Sequence, residues 1–114
     1  MQVRYAILGS VKDADAYQDL AQRACTQASA EEPGTLVYNW FLGDDGVGIN
    51  EELFESTEAF LTHVGNMTES GLMDEFMQLV DIQAVRVLGP VDDAAREALA
   101  GFGAQHYSVV AGLD

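Results

Sequence analysis

The chain has 114 residues, which is enough for one small domain around a single hydrophobic core. Its 5 lysines and arginines are outnumbered by 19 aspartates and glutamates, which gives a formal net charge of -14. A field of that sign repels phosphate backbones and anionic lipids, so we expect neither nucleic acid nor a membrane as a partner. A small apolar or aromatic ligand suits this composition better.

Cysteine content and the start of the chain bear on location. Cys25 is the only cysteine, which excludes an intrachain disulfide and a cysteine-based metal cluster. The opening residues MQVRYAILGS lack the basic, apolar and small-residue regions of a signal peptide, and no apolar run approaches the ~20 residues that span a bilayer. We therefore expect a cytoplasmic protein.

Strand, helix and strand are predicted in that order over the first part of the chain. Alternating β-forming residues over 2–9 predict the first strand. A helical period starts at Asp13, a suitable N-cap, and Pro33 with Gly34 ends it. The aromatic run over 35–42 predicts the second strand. Its two faces consist of Leu36, Tyr38, Trp40 and Leu42 on one side and Val37, Asn39 and Phe41 on the other.

A hairpin and a second helical region occupy the middle of the chain. The residues Gly43-Asp44-Asp45-Gly46 predict a turn into an antiparallel third strand over 48–54. The helix that follows is loosened or ended by Gly65 and Asn66, and a further helical stretch precedes Asp81. This pattern leaves open one kinked helix or two short ones.

The last part of the chain completes the order of elements. A β-branched run over 82–88 predicts the fourth strand, a short helix follows over 92–100, and the apolar tail at 105–111 adds an edge strand or reaches a partner. The order β-α-β-β-α-β predicts an α+β, ferredoxin-like sandwich, with helices on one face of an antiparallel four-stranded sheet. We treat 1–114 as a single domain in which 91–114 is a C-terminal helix plus tail.

The predicted strands place apolar side chains on both faces of the sheet, although helices can cover only one. Leaving Val37 and Phe41, or alternatively Tyr38 and Trp40, in water forfeits about 1.5–3 kcal/mol for each large side chain. A second copy packed sheet to sheet removes this cost, and the short, glycine-rich tail is a poorer cover. We therefore expect a homodimer through the open sheet face.

Several segments carry a resemblance to a known family. They are EPGTLVYNWFL at 32–42, EELFESTEAFLTHVGN at 51–66, and a late DDAAREALAGFG followed by VVAG. With them, most of the chain resembles the antibiotic biosynthesis monooxygenase-like family of dimeric α+β barrel proteins. The most recognisable parts are EPGTLVY, the acidic Glu52 and the EAFLTH helix with its histidine. The resemblance implies that two copies together form a dimeric α+β barrel.

The resemblance also implies a range of activities. Characterised members oxidise aromatic, often polycyclic or quinol, substrates with molecular oxygen and without metal or flavin, so no cofactor is expected. Other members of the superfamily degrade haem, isomerise lactones or have no known activity. The haem-degrading relatives pair the helix histidine with an asparagine on the first strand and a tryptophan near the end of the third. This chain has no such asparagine, and its third strand ends in Leu53 and Phe54.

His63 is the candidate catalytic residue. A cofactor-free oxygenase needs a base, donors for the substrate anion and an apolar cavity that excludes water. A histidine with an ordinary pKa near 6.5 accepts a proton at neutral pH, and the position of His63 on an apolar helical face points it toward the sheet. The structural alternative is a buried ring that is hydrogen-bonded to a backbone carbonyl or to a carboxylate such as Glu52.

The remaining candidate residues would bind substrate, and they are Tyr38, Trp40, Asn39, Glu52, Phe60 and Phe76. Tyr38 and Trp40 can hold an aromatic ring and donate hydrogen bonds, or they can simply pack in the core. Asn39 points to the opposite face, so either it or that pair lines the pocket. Glu52 orients His63 or pairs with an arginine across the dimer, and we favour the arginine. The two distant histidines form no recognisable metal-ligand set.

These residues support three hypotheses. The leading one is a homodimeric, cofactor-independent monooxygenase that oxidises a phenolic or quinol-type aromatic. The alternatives are a non-catalytic dimeric ligand-binding or accessory protein that uses the same apolar cavity, and an oxygen-independent isomerase or cyclase. Oxygen dependence separates the two enzymes, and a cavity filled by side chains favours the binding protein.

Overall fold

The chain forms nine helices and strands in the part that the structure, a computed structural model, describes, which is residues 1–113. In chain order they are β1 (Val3–Val11), α1 (Ala14–Glu31), β2 (Thr35–Leu42), β3 (Val47–Phe54), α2 (Thr57–Glu69), α3 (Leu72–Leu79), β4 (Val80–Leu88), α4 (Asp93–Ala100) and β5 (Gln105–Tyr107).

The strands form one open sheet in the order β2-β3-β1-β4-β5. Neighbours among the first four strands run antiparallel, which confirms the predicted ferredoxin-like α+β topology. The start of the tail adds a fifth strand at the edge of the sheet, which was one of the two alternatives for this segment: β5 pairs parallel to β4, with Val87 opposite His106. A single chain therefore leaves the sheet open and does not close it into a barrel.

Helices α1 and α2 begin where the sequence supplies a capping side chain. The carboxylate of Asp13 accepts a hydrogen bond from the Ala16 N–H at 3.0 Å, and the Ser56 hydroxyl accepts one from the Ala59 N–H at 3.1 Å. Our prediction that Gly65 and Asn66 loosen or end the second helix is wrong, because α2 continues through both to Glu69. Packing of the flanking apolar residues outweighs the low helix propensity of one glycine.

The break between α2 and α3 falls at Gly71, so the middle region is two helices and not one kinked helix. Gly71 has a φ of 82°, in the left-handed region that side-chain-bearing residues avoid. The reversal lets α3 return across α1 and deliver its buried residues Leu72 and Phe76 to the same core. That core is one of two apolar clusters on the helical side of the sheet, and the other is built around Val3, Phe54 and Leu99.

The opposite face of the sheet remains partly exposed. Phe41 is 51% exposed and Ile49 is 37% exposed, and both lie on the side of the sheet away from the helices. Leu36 was predicted to share a face with Tyr38, but the pairing register shifts between Thr35 and Val37 and leaves Leu36 half exposed. Within residues 1–113, no helix combines the length and apolar character needed to cross a bilayer.

The two glycines of the middle region give a matched test of its geometry. Neither a Cβ at Gly65 nor one at Gly71 would meet another atom within 4 Å, so substitution changes only backbone energetics. We expect Gly65→Ala to raise the free energy of unfolding by about 0.5–1 kcal/mol, because Gly65 is in the interior of a helix. Gly71→Ala should lower it by about 1–2 kcal/mol, because alanine is strained at positive φ.

Urea denaturation of both variants against wild type measures these changes. Equal effects of the two substitutions would contradict a helix break at residue 71.

Candidate active site

Glu32 lies buried at the point where α1 ends. It is the C-cap residue of that helix, its N–H donates to the Ala28 carbonyl at 2.9 Å, and Pro33 prevents the helix from continuing. The Glu32 carboxylate is only 2% exposed and accepts hydrogen bonds from the Thr35 hydroxyl at 3.0 Å and the Asn66 side-chain amide at 3.1 Å. The junction EPGT thus holds a negative charge inside the protein.

His63 faces this carboxylate from the middle of α2. Its Nδ1 lies 2.7 Å from Oε1 of Glu32, and its Nε2 lies 3.3 Å from Oε1 of Glu52 on β3. The ring is also packed against the rings of Tyr38 and Phe54, at centroid distances of 4.8 Å and 5.1 Å. Both nitrogens of the imidazole are therefore occupied by carboxylates, and the ring has little freedom to move.

Glu52 points into the protein and not toward a second copy. It is 3% exposed, and its Oε1 accepts a hydrogen bond from the Tyr5 hydroxyl at 2.7 Å. Our preference for an arginine across a dimer as its partner is wrong, because the inward face of β3 directs this side chain toward His63. The alternative that we left open, contact with the histidine, is the observed one.

We call Glu32, His63, Glu52 and Tyr5 the buried network. Burial by itself lowers the pKa of His63, but the hydrogen bonds and charges of Glu52 and Glu32 more than offset it, so the pKa is raised above 6.5. The pKa of Tyr5 is raised by burial and by the neighbouring charge of Glu52. The buried network therefore favours a protonated imidazole and a neutral phenol.

A small cavity of about 50 Å³ lies beside the buried network, between the sheet and α2 and α3. Most of the residues predicted to form a site line it, and they are His63, Tyr38, Trp40, Glu52, Phe60 and Phe76. Trp40 packs edge-on against Tyr38 and Phe76, at centroid distances of 5.8 Å and 5.7 Å. The walls are mainly aromatic and apolar, with Glu52 and His63 providing charge on one side.

Asn39 is the predicted site residue that the cavity does not include. It is exposed on the other face of β2, where its side-chain amide donates to Glu51 at 3.1 Å. The parity of β2, which the sequence left open, is thus decided in favour of Tyr38 and Trp40. Asn39 cannot contact a ligand in this cavity, and its predicted substrate-binding role has no support there.

The indole N–H of Trp40 is the one buried side-chain polar atom that has no hydrogen-bond partner within residues 1–113. Beside it, burial raises the pKa of Tyr38, and the charge of Glu52 raises it further. A buried donor without a partner is costly, and a ligand oxygen in the cavity would satisfy it.

Sequence reasoning missed Glu32 and Tyr5 as members of the site. Glu32 lies in the EPGTLVY segment that carries the family resemblance, and Tyr5 lies in the predicted first strand over 2–9, but neither was singled out as a site residue. The signal for Tyr5 was its parity, because Tyr5 lies opposite Glu52 in the antiparallel register. For Glu32 the only signal was an acidic residue directly before Pro33, and that signal is weak.

These features define a class of fold. The fold is that of the antibiotic biosynthesis monooxygenase-like proteins, so the resemblance seen in the sequence is confirmed at the level of the fold. No known family profile matches the chain, and no curated protein sequence matches it.

Three solved structures illustrate the likeness. MupZ from Pseudomonas fluorescens is 21% identical, with a TM-score of 0.85 over 99% of this chain and 93% of its own. A provisional antibiotic biosynthesis monooxygenase from Caulobacter crescentus CB15 is 20% identical, with a TM-score of 0.68 over 80% of this chain and 91% of its own. SnoaB, a cofactor-independent oxygenase from Streptomyces nogalater, is 13% identical, with a TM-score of 0.65 over 80% of this chain and 94% of its own. At these identities the likeness establishes the fold alone.

The pKa values of the two histidines of the chain should differ from that of an ordinary histidine in opposite directions. The pKa of His63 is raised by the carboxylates of Glu32 and Glu52, whereas burial and the charge of Arg96 lower the pKa of His106. Because the folded pKa of His63 exceeds 6.5, its stabilising contribution is complete below about 6.5 and is lost as pH rises through the folded pKa.

Nitrogen-15 NMR titration of the two imidazoles measures this order directly. The free energy of unfolding contributed by His63 should fall from neutral to alkaline pH. A His63 ring that loses its proton before His106 does would contradict the geometry.

Proposed function

We propose that this protein is a cofactor-independent monooxygenase that oxidises a phenolic or quinol-type aromatic substrate with molecular oxygen. The observation that carries the proposal is the buried network, whose Glu52 and His63 lie on the wall of an aromatic cavity. A fold shared with SnoaB, itself a cofactor-independent oxygenase, supports the same reaction class.

The chemistry requires the substrate to become electron-rich before it meets oxygen. Loss of a phenolic proton to the Glu52–His63 pair leaves a phenolate, and the apolar walls keep water away from it. One oxygen atom of O₂ then becomes a ring carbonyl and the other leaves as water, with all four electrons supplied by the substrate. The unpaired N–H of Trp40 is positioned to donate to an oxygen of the ring.

The size of the cavity sets a condition on this proposal. A volume of about 50 Å³ holds only a few water molecules, whereas sites for drug-sized ligands occupy roughly 300–1,000 Å³. The wall nearest α3 contains Met73 and Met77, and Met77 is 49% exposed. Methionine side chains repack easily, so we expect substrate to enter by displacing them.

Two other functions have an observation in their favour. A carboxylate beside a protonated imidazole is also the arrangement for moving a proton within a substrate, which favours an oxygen-independent isomerase or cyclase. The small cavity favours a non-catalytic ligand-binding or accessory protein. Both retain the buried network and the aromatic walls, and they differ from the leading proposal in whether oxygen or turnover is required.

We also propose a homodimer through the face of the sheet that carries Phe41 and Ile49. These two side chains are 51% and 37% exposed, and Leu53 lies on the same face. In the tail after β5, Val110 is 99% exposed, so the tail does not bury its own apolar side chain there. Burying such side chains against a second sheet gains about 1.5–3 kcal/mol for each large one, which supports sheet-to-sheet association.

Oxygen uptake tests the proposed activity. Metal-free wild type should consume oxygen with members of a panel of hydroquinones and naphthols faster than the spontaneous reaction. We expect His63→Ala to lower that rate by about 10²-fold or more, because the proton-transfer site is lost. His106→Ala is the matched control and should leave the rate unchanged, since His106 lies on β5 and does not line the cavity.

Circular dichroism of His63→Ala would verify that the variant is folded. Equal rates in wild type and folded His63→Ala, or no uptake by wild type, would reject the proposal. Conversion of substrate without oxygen would favour the isomerase or cyclase instead.

Light scattering coupled to size exclusion tests the dimer. Phe41→Asp should convert the dimer to a monomer, because it would bury a charge within the proposed interface. Leu61→Asp is the matched control, since Leu61 is 43% exposed on α2 and should leave the dimer intact. A wild-type protein that elutes as a monomer at all concentrations tested would exclude this interface.

A further inference from the structure

We infer that Glu52, and not His63, accepts the substrate proton, and that His63 is a fixed cation that positions Glu52. This inference rests on the proposed function in so far as a substrate proton is removed in the cavity. It reverses the role that the sequence suggests for His63, and it follows from which atoms of the buried network are already occupied.

The imidazole of His63 has no free nitrogen. Nδ1 lies 2.7 Å from Glu32, and Nε2 lies 3.3 Å from Glu52. A neutral imidazole carries one N–H, so its second nitrogen would present a lone pair to a carboxylate oxygen. A protonated imidazole donates to Glu32, keeps its second N–H within 3.3 Å of Glu52 and places one positive charge between two negative ones. The geometry therefore fits the cation, which has no lone pair with which to accept a proton.

Glu32 holds this cation but has no access to substrate. Its Oε1 accepts from Thr35 and faces His63, and its Oε2 accepts from Asn66. It does not line the cavity. Glu32 is thus a buried counter-charge whose oxygens are committed to the protein, which fixes the His63 ring from the side away from the cavity.

Glu52 has one carboxylate oxygen, Oε2, that is not used in its contacts with Tyr5 and His63. Its Oε1 accepts a hydrogen bond from the Tyr5 hydroxyl at 2.7 Å and lies 3.3 Å from Nε2 of His63, so Oε2 takes part in neither contact. Because Glu52 lines the cavity, Oε2 is an acceptor available to a bound hydroxyl group. Tyr5 and His63 both hold Oε1, so they orient the carboxylate with its second oxygen toward substrate.

The proton transfer then balances without adding charge to the interior. The substrate O–H bond breaks, the proton goes to Oε2 of Glu52, and the electron pair stays on the substrate oxygen. Glu32, His63 and Glu52 carry a net charge of -1 before the step, and Glu32, His63 and the phenolate carry the same net charge after it. Starting instead from a neutral His63 would place two buried carboxylates beside one another with no cation between them, which is much more costly.

The direction in which the rate changes with pH distinguishes His63 as a fixed cation from His63 as the base. The titratable groups that contact His63 are Glu32 at the end of α1, Tyr38 on β2 and Glu52 on β3, and Tyr5 on β1 contacts Glu52. If His63 is the fixed cation, the rate with a naphthol or hydroquinone should be high where the ring is protonated and should fall as the ring loses its proton. If His63 is the base, the rate should rise over that same interval.

Glutamine variants complete the test, and each retains the shape of the side chain that it replaces. Glu52→Gln should lower kcat by about 10²-fold or more, with little change in KM, while nitrogen-15 NMR still shows His63 protonated beside Glu32. Glu32→Gln should make the His63 ring lose its proton at lower pH and shift the alkaline fall in rate with it. Glu51→Gln is the matched control, since Glu51 points to the other face of β3 and is exposed.

Each result has a defined reading. A rate that rises as His63 deprotonates, or a Glu52→Gln variant with unchanged kcat, would overturn the inference. Nitrogen shifts showing a neutral His63 at neutral pH would overturn it without any turnover measurement. Absence of oxygen uptake by wild type would instead overturn the proposed function, and the nitrogen shifts would still decide the state of His63.

Discussion

The contact on which most of this structure depends is the one between Glu32 and His63, in which Oε1 and Nδ1 lie 2.7 Å apart in the interior. It ties the end of α1 to the middle of α2 and sets how closely α2 can approach the sheet. Removing one partner of such a pair leaves an unpaired buried charge, which typically costs about 3–5 kcal/mol. The position of the cavity therefore follows from an electrostatic requirement as much as from apolar packing.

The strands beside this contact have a different role on each face. On β3, Glu52 points to the helices and the neighbouring Glu51 points away, and on β2 Tyr38 and Asn39 are divided in the same manner. A slip of one residue in pairing would exchange every member of the two sets. The register that assembles the site is thus the same register that leaves Phe41 on the exposed face. A change of register along these strands would therefore disturb the site and the exposed face together.

The sequence predicted the order of elements because periodicity records burial, and burial is a property of each segment. It could not predict which parity of β2 faces inward, since Tyr38 and Phe41 are both aromatic and only the covering helices decide between them. The prediction that the helix loosens or ends at Gly65 is also wrong, because tertiary packing outweighs local propensity there. The role of Glu32 could not be predicted for a related reason, since a carboxylate before a turn is usually solvated. Glu32 becomes part of a site only because His63, 31 positions later, lies against it.

Stability alone gives a poor account of this arrangement. Replacing a buried ionic group by apolar residues of similar volume is often neutral or even stabilising, so a domain that needed only a core would gain nothing from two carboxylates around one imidazole. A purely structural network would also use up its hydrogen-bonding groups. Here the N–H of Trp40 lacks a protein partner within residues 1–113, and Oε2 of Glu52 takes no part in the contacts with Tyr5 and His63; both residues line the same cavity. One is an acceptor and the other a donor, which is the complement of a ligand that carries a hydroxyl and a second oxygen on an apolar frame.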